Sequence, residues 1–150
     1  MVVICLELPQ PPKNLALTNI QSRSVMLQFI PGFNGYASIS LWIIQAQAGS
    51  ASTQQPWMTI CTVTAPDANS VLVTGLTPYT SYRLQIIAKN IVGQSGPSNP
   101  TLWFDTLQAA PEVPPSDVSV RPLNETAMIV RWTVRISYSV AHSRLRYFPV

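Results

Sequence analysis

The feature that most constrains this chain is a repeat inside it. Pro12, Leu15, Leu17, Ile20, Val25, Leu27 and Phe29 recur, in the same order and at identical spacing, as Pro115, Val118, Val120, Leu123, Met128, Val130 and Trp132. Every position keeps its apolar character. A shared register of that kind points to a tandem array of like domains, with one full copy here and the opening of another. Between the copies lies "QAAPEVPPSD", a Pro-rich run of the extended, semi-rigid kind that joins domains.

Inside the first copy the apolar period is two, with frequent turn residues and no helical stripe. "NLALTNI" (14–20) and "SVMLQFI" (24–30) put Leu15 and Leu17, then Val25, Leu27 and Phe29, on one face of successive strands. "SISLWIIQAQ" (38–47), "WMTICTV" (57–63), "SVLVTGL" (70–76), "YRLQIIAKN" (82–90) and "TLWFDTL" (101–107) supply five more. Seven such strands predict an all-β fold, a seven-stranded antiparallel β-sandwich of two sheets. The expected organisation is an irregular segment over 1–11, a domain over 12–107, a linker over 108–115, the first two strands of an incomplete second repeat over 116–133, and a patternless tail over 134–150.

Composition narrows the function classes. Hydrophobic residues make up 47% of the chain, enough for a packed core, and only 10% of residues are charged. The net charge of +3 is thinly spread, so no basic footprint for nucleic acid is expected. Cys5 and Cys61 stand far apart in no metal-ligand spacing, and neither a metal nor a cofactor is expected. A disulfide between them is possible in principle, but Cys61 follows an apolar alternation and fits a small buried hydrophobe better than a reactive thiol. No run approaches the length of a membrane span, and "MVVICLELPQPP" lacks the basic start and the length of a signal peptide. Direct membrane insertion by this chain is therefore not expected.

An enzyme is also not expected. His142, the only histidine, lies in the patternless tail, the six carboxylates are scattered, and no nucleophile elbow or phosphate-binding fingerprint is present. Arg135, Arg144 and Arg146 interleave with Tyr138, Tyr147 and Phe148, too sparsely for a basic tract.

The segments "PPKNLAL", "SVMLQF" and "GLTPYTSYRLQIIAKNIVGQSGPS" together resemble a fibronectin type III domain. Phe29 stands where that family usually has Trp, and Trp132 restores it in the second copy. The resemblance implies a tyrosine corner at Tyr82, its hydroxyl bonded to backbone a few residues upstream. It also implies that Leu76 plugs the core, that Pro78 sets the turn and belongs to the same core, and that Leu84 and Ile86 point inward on the following strand. Ile91, Val92, Gly93, Gln94, Ser95, Gly96, Pro97 and Ser98 then form a loop, with Gly93 and Gly96 available for positive φ. That loop is the candidate contact loop. Trp57 and Trp103 are secondary candidates for an interaction surface, an exposed cluster near the last strand being favoured.

The phrases "SRSVMLQFIPGFNG", "SISLWIIQAQ", "NIVGQSGPS" and "DTLQAAPEVPPSDVSVRPLNET" resemble the sidekick family of cell-adhesion molecules. The resemblance implies a non-catalytic spacer or protein-interaction module on the extracellular side of the plasma membrane. Its partners would be neighbouring domains or other surface proteins, homophilic contact included. An intracellular structural type III module and an incomplete isoform without independent function are the alternatives. Asn124 in "NET" is a candidate glycosylation site on a turn between strands.

Overall fold

A computed structural model of the chain describes residues 5–110, 114–133 and the backbone of 146–149. It divides into two units, Met1–Ala109 and Ala110–Val150. In the first, β1 (Lys13–Thr18), β2 (Ser24–Ile30), β3 (Leu41–Ala48), β4 (Met58–Val63), β5 (Ser70–Thr74), β6 (Ser81–Lys89) and β7 (Phe104–Asp105) follow in order. They make one sheet of order β1-β2-β5 and another of order β4-β3-β6-β7, with every pairing antiparallel.

Alternation decides which side chains meet between the sheets. Along β2, Val25, Leu27 and Phe29 are buried while Gln28 and Ile30 face water. From the opposing sheet Trp42, Ile44, Ala46, Leu84, Ile86 and Ala88 point back at them, and Ile39, Val71, Val73, Leu76 and Phe104 complete the core. The rings of Phe29 and Trp42 lie 5.0 Å apart, so a small aromatic on β2 is matched by a large one on β3. The buried Trp42 indole donates through Nε1 to the Ala65 carbonyl at 2.9 Å, which satisfies its one polar atom. Leu15 and Leu17 sit on an edge strand and are only partly buried against this core. Pro78, expected in the core, is half-buried, because it lies in the turn after Leu76 rather than between the sheets.

Three expectations change. The final strand, expected over 101–107, is regular only at Phe104–Asp105. Trp103 and Leu102 therefore do not alternate as a strand requires: Leu102 is 90% exposed and Phe104 is buried. Gly93 and Gly96 do not use positive φ; Gly35, Gly49 and Gly75 do. The tail is not wholly patternless either, since a strand at Arg146–Pro149 pairs through its backbone with the one at Ala127–Thr133. Backbone pairing along an open edge needs no particular side-chain pattern, which is why the sequence hid it.

The second unit holds β8 (Ser116–Asn124), β9 (Ala127–Thr133) and β10 (Arg146–Pro149) in one sheet of order β10-β9-β8. Val118 and Val120, which match Leu15 and Leu17, are exposed. His142, Arg135, Arg144 and Tyr138 lie outside the described residues.

Candidate functional site

Three polar clusters of the first unit are built around β6, the central strand of the larger sheet. At its start, the Tyr82 hydroxyl accepts a hydrogen bond from the Thr77 amide at 3.2 Å, five residues upstream. Thr106, itself buried, braces the same corner. Its Oγ1 donates to the Thr77 carbonyl at 2.7 Å and accepts from the Thr80 amide at 3.0 Å. The chain thus turns between sheets with its polar groups paired, as a partly buried turn must.

Along its outer edge β6 has no regular partner beyond β7, yet its backbone is satisfied. The amides of Leu84, Ile86 and Ala88 donate to Thr101 Oγ1, Ser98 Oγ and Ser95 Oγ, each at 3.0 Å. The carbonyls of the same three residues accept from the amides of Thr101, Ser98 and Ser95 at 2.8–2.9 Å. Residues 95–101 advance three positions for every two on β6, so a strand ladder cannot form and hydroxyls stand in for carbonyls. Pro97 and Pro100, which lack an amide proton, fall between the bonded positions and break nothing. This is why the last strand is so short.

On the outer face of the sheet, Arg83 is enclosed. Its guanidinium carbon lies 5.3 Å from the Trp57 ring centroid and 4.9 Å from that of Trp103. Its Nε donates to Gln47 Oε1 at 2.7 Å and an Nη to Gln54 Oε1 at 3.0 Å. Gln85 Nε2 donates to Gln45 Oε1 at 2.7 Å beside it. Two aromatic faces and two amides thus hold the guanidinium, tying β3, β6, the segment just before β4 and the approach to β7 together.

At the far end of β6, Asn90 is buried and joins three segments. Its Nδ2 donates to the carbonyls of Glu7 (2.7 Å) and Asn34 (2.9 Å), while its Oδ1 accepts from the amides of Val92 (2.9 Å) and Gly93 (3.1 Å). Glu7 N also donates to Gly35 O at 2.9 Å and Gln10 N to Phe33 O at 2.8 Å. Gly35 has φ +70°, and a Cβ there would collide with the Glu7 carbonyl, so glycine is required where the chain passes so close. The segment expected to be irregular is therefore strapped to the domain at Glu7 and Gln10.

A family model described as fibronectin type III domain matches residues 10–102. The chain belongs to the fibronectin type III family. Protein sidekick of Drosophila melanogaster is 47% identical over 125 residues, which cover 83% of this chain and 6% of that protein. Protein sidekick-2 of Mus musculus is 43% identical over 127 residues, covering 84% of this chain and 6% of that protein. The chain thus spans about 6% of the length of these relatives. Among solved structures, the chicken CNTN1 FN1-FN3 domains align with a TM-score of 0.63 at 26% identity, covering 84% of this chain and 42% of that one. The FN5 domain of Drosophila Lar aligns at 0.52 and 22% identity, covering 68% of this chain and all of that one. The expected family and all-β sandwich stand.

Within this type III domain the candidate loop divides by role. Ser95 and Ser98 are buried on β6, whereas Ile91, Val92, Gln94, Gly96 and Pro97 are exposed and Gly93 is half-buried. Asn124 ends β8 on an exposed turn in the second unit, its Oδ1 accepting from Thr126 N (3.0 Å) and Thr126 Oγ1 (3.2 Å). Cys5 is an exposed free thiol. Cys61 is free and half-buried, and burial pushes its thiol pKa up. Among the described residues no three His, Cys, Asp or Glu side chains gather to hold a metal. Sequence reasoning missed Asn90 and the Arg83 stack. The hydroxyl ladder had left a trace in the three-residue spacing of Ser95, Ser98 and Thr101.

Proposed function

We propose that this type III domain is a non-catalytic spacer and protein-interaction module of a sidekick-type cell-surface adhesion receptor. The observation that carries this reading is the way β6 is held along both edges. β3 pairs with it from Leu41↔Lys89 to Ala48↔Tyr82, and the hydroxyl ladder covers the opposite side. A module that sets distance between binding sites needs such a fixed central strand, while loops and faces supply contacts. The similarity to sidekick proteins supports the extracellular setting.

In that setting Asn124 carries an N-linked glycan. The turn exposes its side chain and brings the Thr126 hydroxyl beside it, as the acceptor sequence requires. A second reading, an intracellular structural module, is favoured by one observation, the two free thiols. One experiment separates them. When the longer receptor carrying this domain is made in animal cells, surface labelling and a glycosidase-sensitive mass lost in Asn124→Gln are the expected results. A chain confined to the cytosol with Asn124 unmodified would assign the domain to the second reading.

A further inference from the structure

One group of exposed apolar side chains in the first unit surrounds the segments that Asn90 joins. Leu6, Leu8, Phe33, Tyr36, Ile91 and Val92 are all exposed, Ile91 to 82%. They come from the three segments that Asn90 joins, so one buried amide side chain organises the whole patch. Phe33 and Tyr36 pack edge to face with centroids 4.9 Å apart, and Leu8 lies against Gly93, where an added Cβ would come within 2.7 Å of its Cδ2. The patch is therefore built and held without a partner, at the pole where the chain enters the sandwich. Preorganisation of that sort lowers the cost of binding.

The internal repeat says what belongs in front of it. In the register that matches Pro12 with Pro115, Pro11 falls on Pro114, and the strap Glu7–Pro11 falls on 110–114. Those later residues belong to the connector between the two repeats. By the same register the strap is itself a connector, and a preceding domain would end at its amino-terminal side.

We propose that this apolar pole seats the carboxyl-terminal end of a preceding type III domain in the longer chain. Asn90 fixes the connector so that the two domains meet in one orientation. A connector of a few residues holds the partner at millimolar effective concentration or so, and a modest apolar contact then suffices. The inference deepens the spacer reading and rests on it, since a rigid spacer needs defined junctions as well as rigid domains.

Hydrogen exchange compares the 150-residue chain with the longer receptor. The expected result is exchange several-fold slower at 34–37 and 91–94 in the receptor than in the 150-residue chain, with β6 protected equally in both. Replacing the exposed pair as Tyr36→Ser and Ile91→Ser should abolish that difference while leaving β6 protection intact, which separates a lost junction from a lost fold. Equal exchange at the pole in both forms, or a difference that survives the double substitution, would overturn the proposal. Self-association of the 150-residue chain that disappears in the double variant would also overturn it, by giving the surface to a second copy. Surface exposure and the Asn124 glycan report on the spacer reading separately, so a receptor that keeps both but shows an unprotected pole defeats this inference alone.

Discussion

β1–β2 and β8–β9 carry the same apolar register and end in different environments. Val25 and Leu27 are fully buried, and Phe29 nearly so, because Trp42, Ile44, Leu84 and Ile86 face them from a second sheet. Their counterparts Met128, Val130 and Trp132 are exposed or half-buried in a single sheet, and Val118 is 60% exposed. The pattern that programmes a strand to bury one face does not itself provide the opposing face. Burial, and with it most of the stability, belongs to the pair of sheets.

Truncating one matched pair of residues is the strongest way to break this comparison. Leu27→Ala should destabilise the first unit by about 2–5 kcal/mol through lost burial and an unfilled cavity. Val130→Ala should change its stability by less than about 0.5 kcal/mol. Urea unfolding followed through the buried Trp42 reads both, and equal effects would refute the assigned difference in burial. The next effect tests the edge of β6. Ser98→Ala leaves the buried Ile86 amide without its acceptor and should cost about 1–3 kcal/mol. Tyr82→Phe removes the acceptor of the Thr77 amide in a less buried corner, and about 1 kcal/mol is expected in the same unfolding assay.

Smaller effects are expected on the solvent-facing side of the larger sheet. Trp103→Leu takes away one of the two rings on Arg83 and should cost about 0.5–1 kcal/mol, with the effect lost when Arg83 is already Met. The least is expected from Cys61. Its thiol ionises at higher pH in the folded state than in the unfolded one, so below the ordinary thiol range it leaves stability unchanged. As pH rises through the window between the ordinary and the raised value, only the unfolded thiol loses its proton, and stability falls. Stability profiles of the parent and Cys61→Ala should therefore separate only on the alkaline side. At neutral pH the half-buried thiol should be alkylated more slowly than exposed Cys5.

Much of the sandwich was legible in the sequence because a strand that is buried on one face must alternate. The runs that became β2, β3, β5 and β6 show this plainly, and "LTPYTSY" marks the corner where Tyr82 meets the Thr77 amide. The last strand is shorter than the alternation of "TLWFDTL" implies, because the contacts that shape residues 95–101 are made by hydroxyls to another strand's backbone. The role of Asn90 is illegible in the sequence for a similar reason. An asparagine before a loop reads as a turn residue, and its four partners lie as far away in the chain as Glu7.

Local chemistry by itself determined that this chain is all-β, where most strands run, which faces are apolar, and that the pattern begins a second time. These are properties of short windows, set by side-chain period and turn residues. Tertiary structure alone decided that the first copy of the pattern is buried and the second exposed. It also decided that Arg83 is clasped between Trp57 and Trp103, and that one asparagine gathers three segments into a pole. Each of these depends on groups distant in sequence meeting in space, and no local window contains both partners.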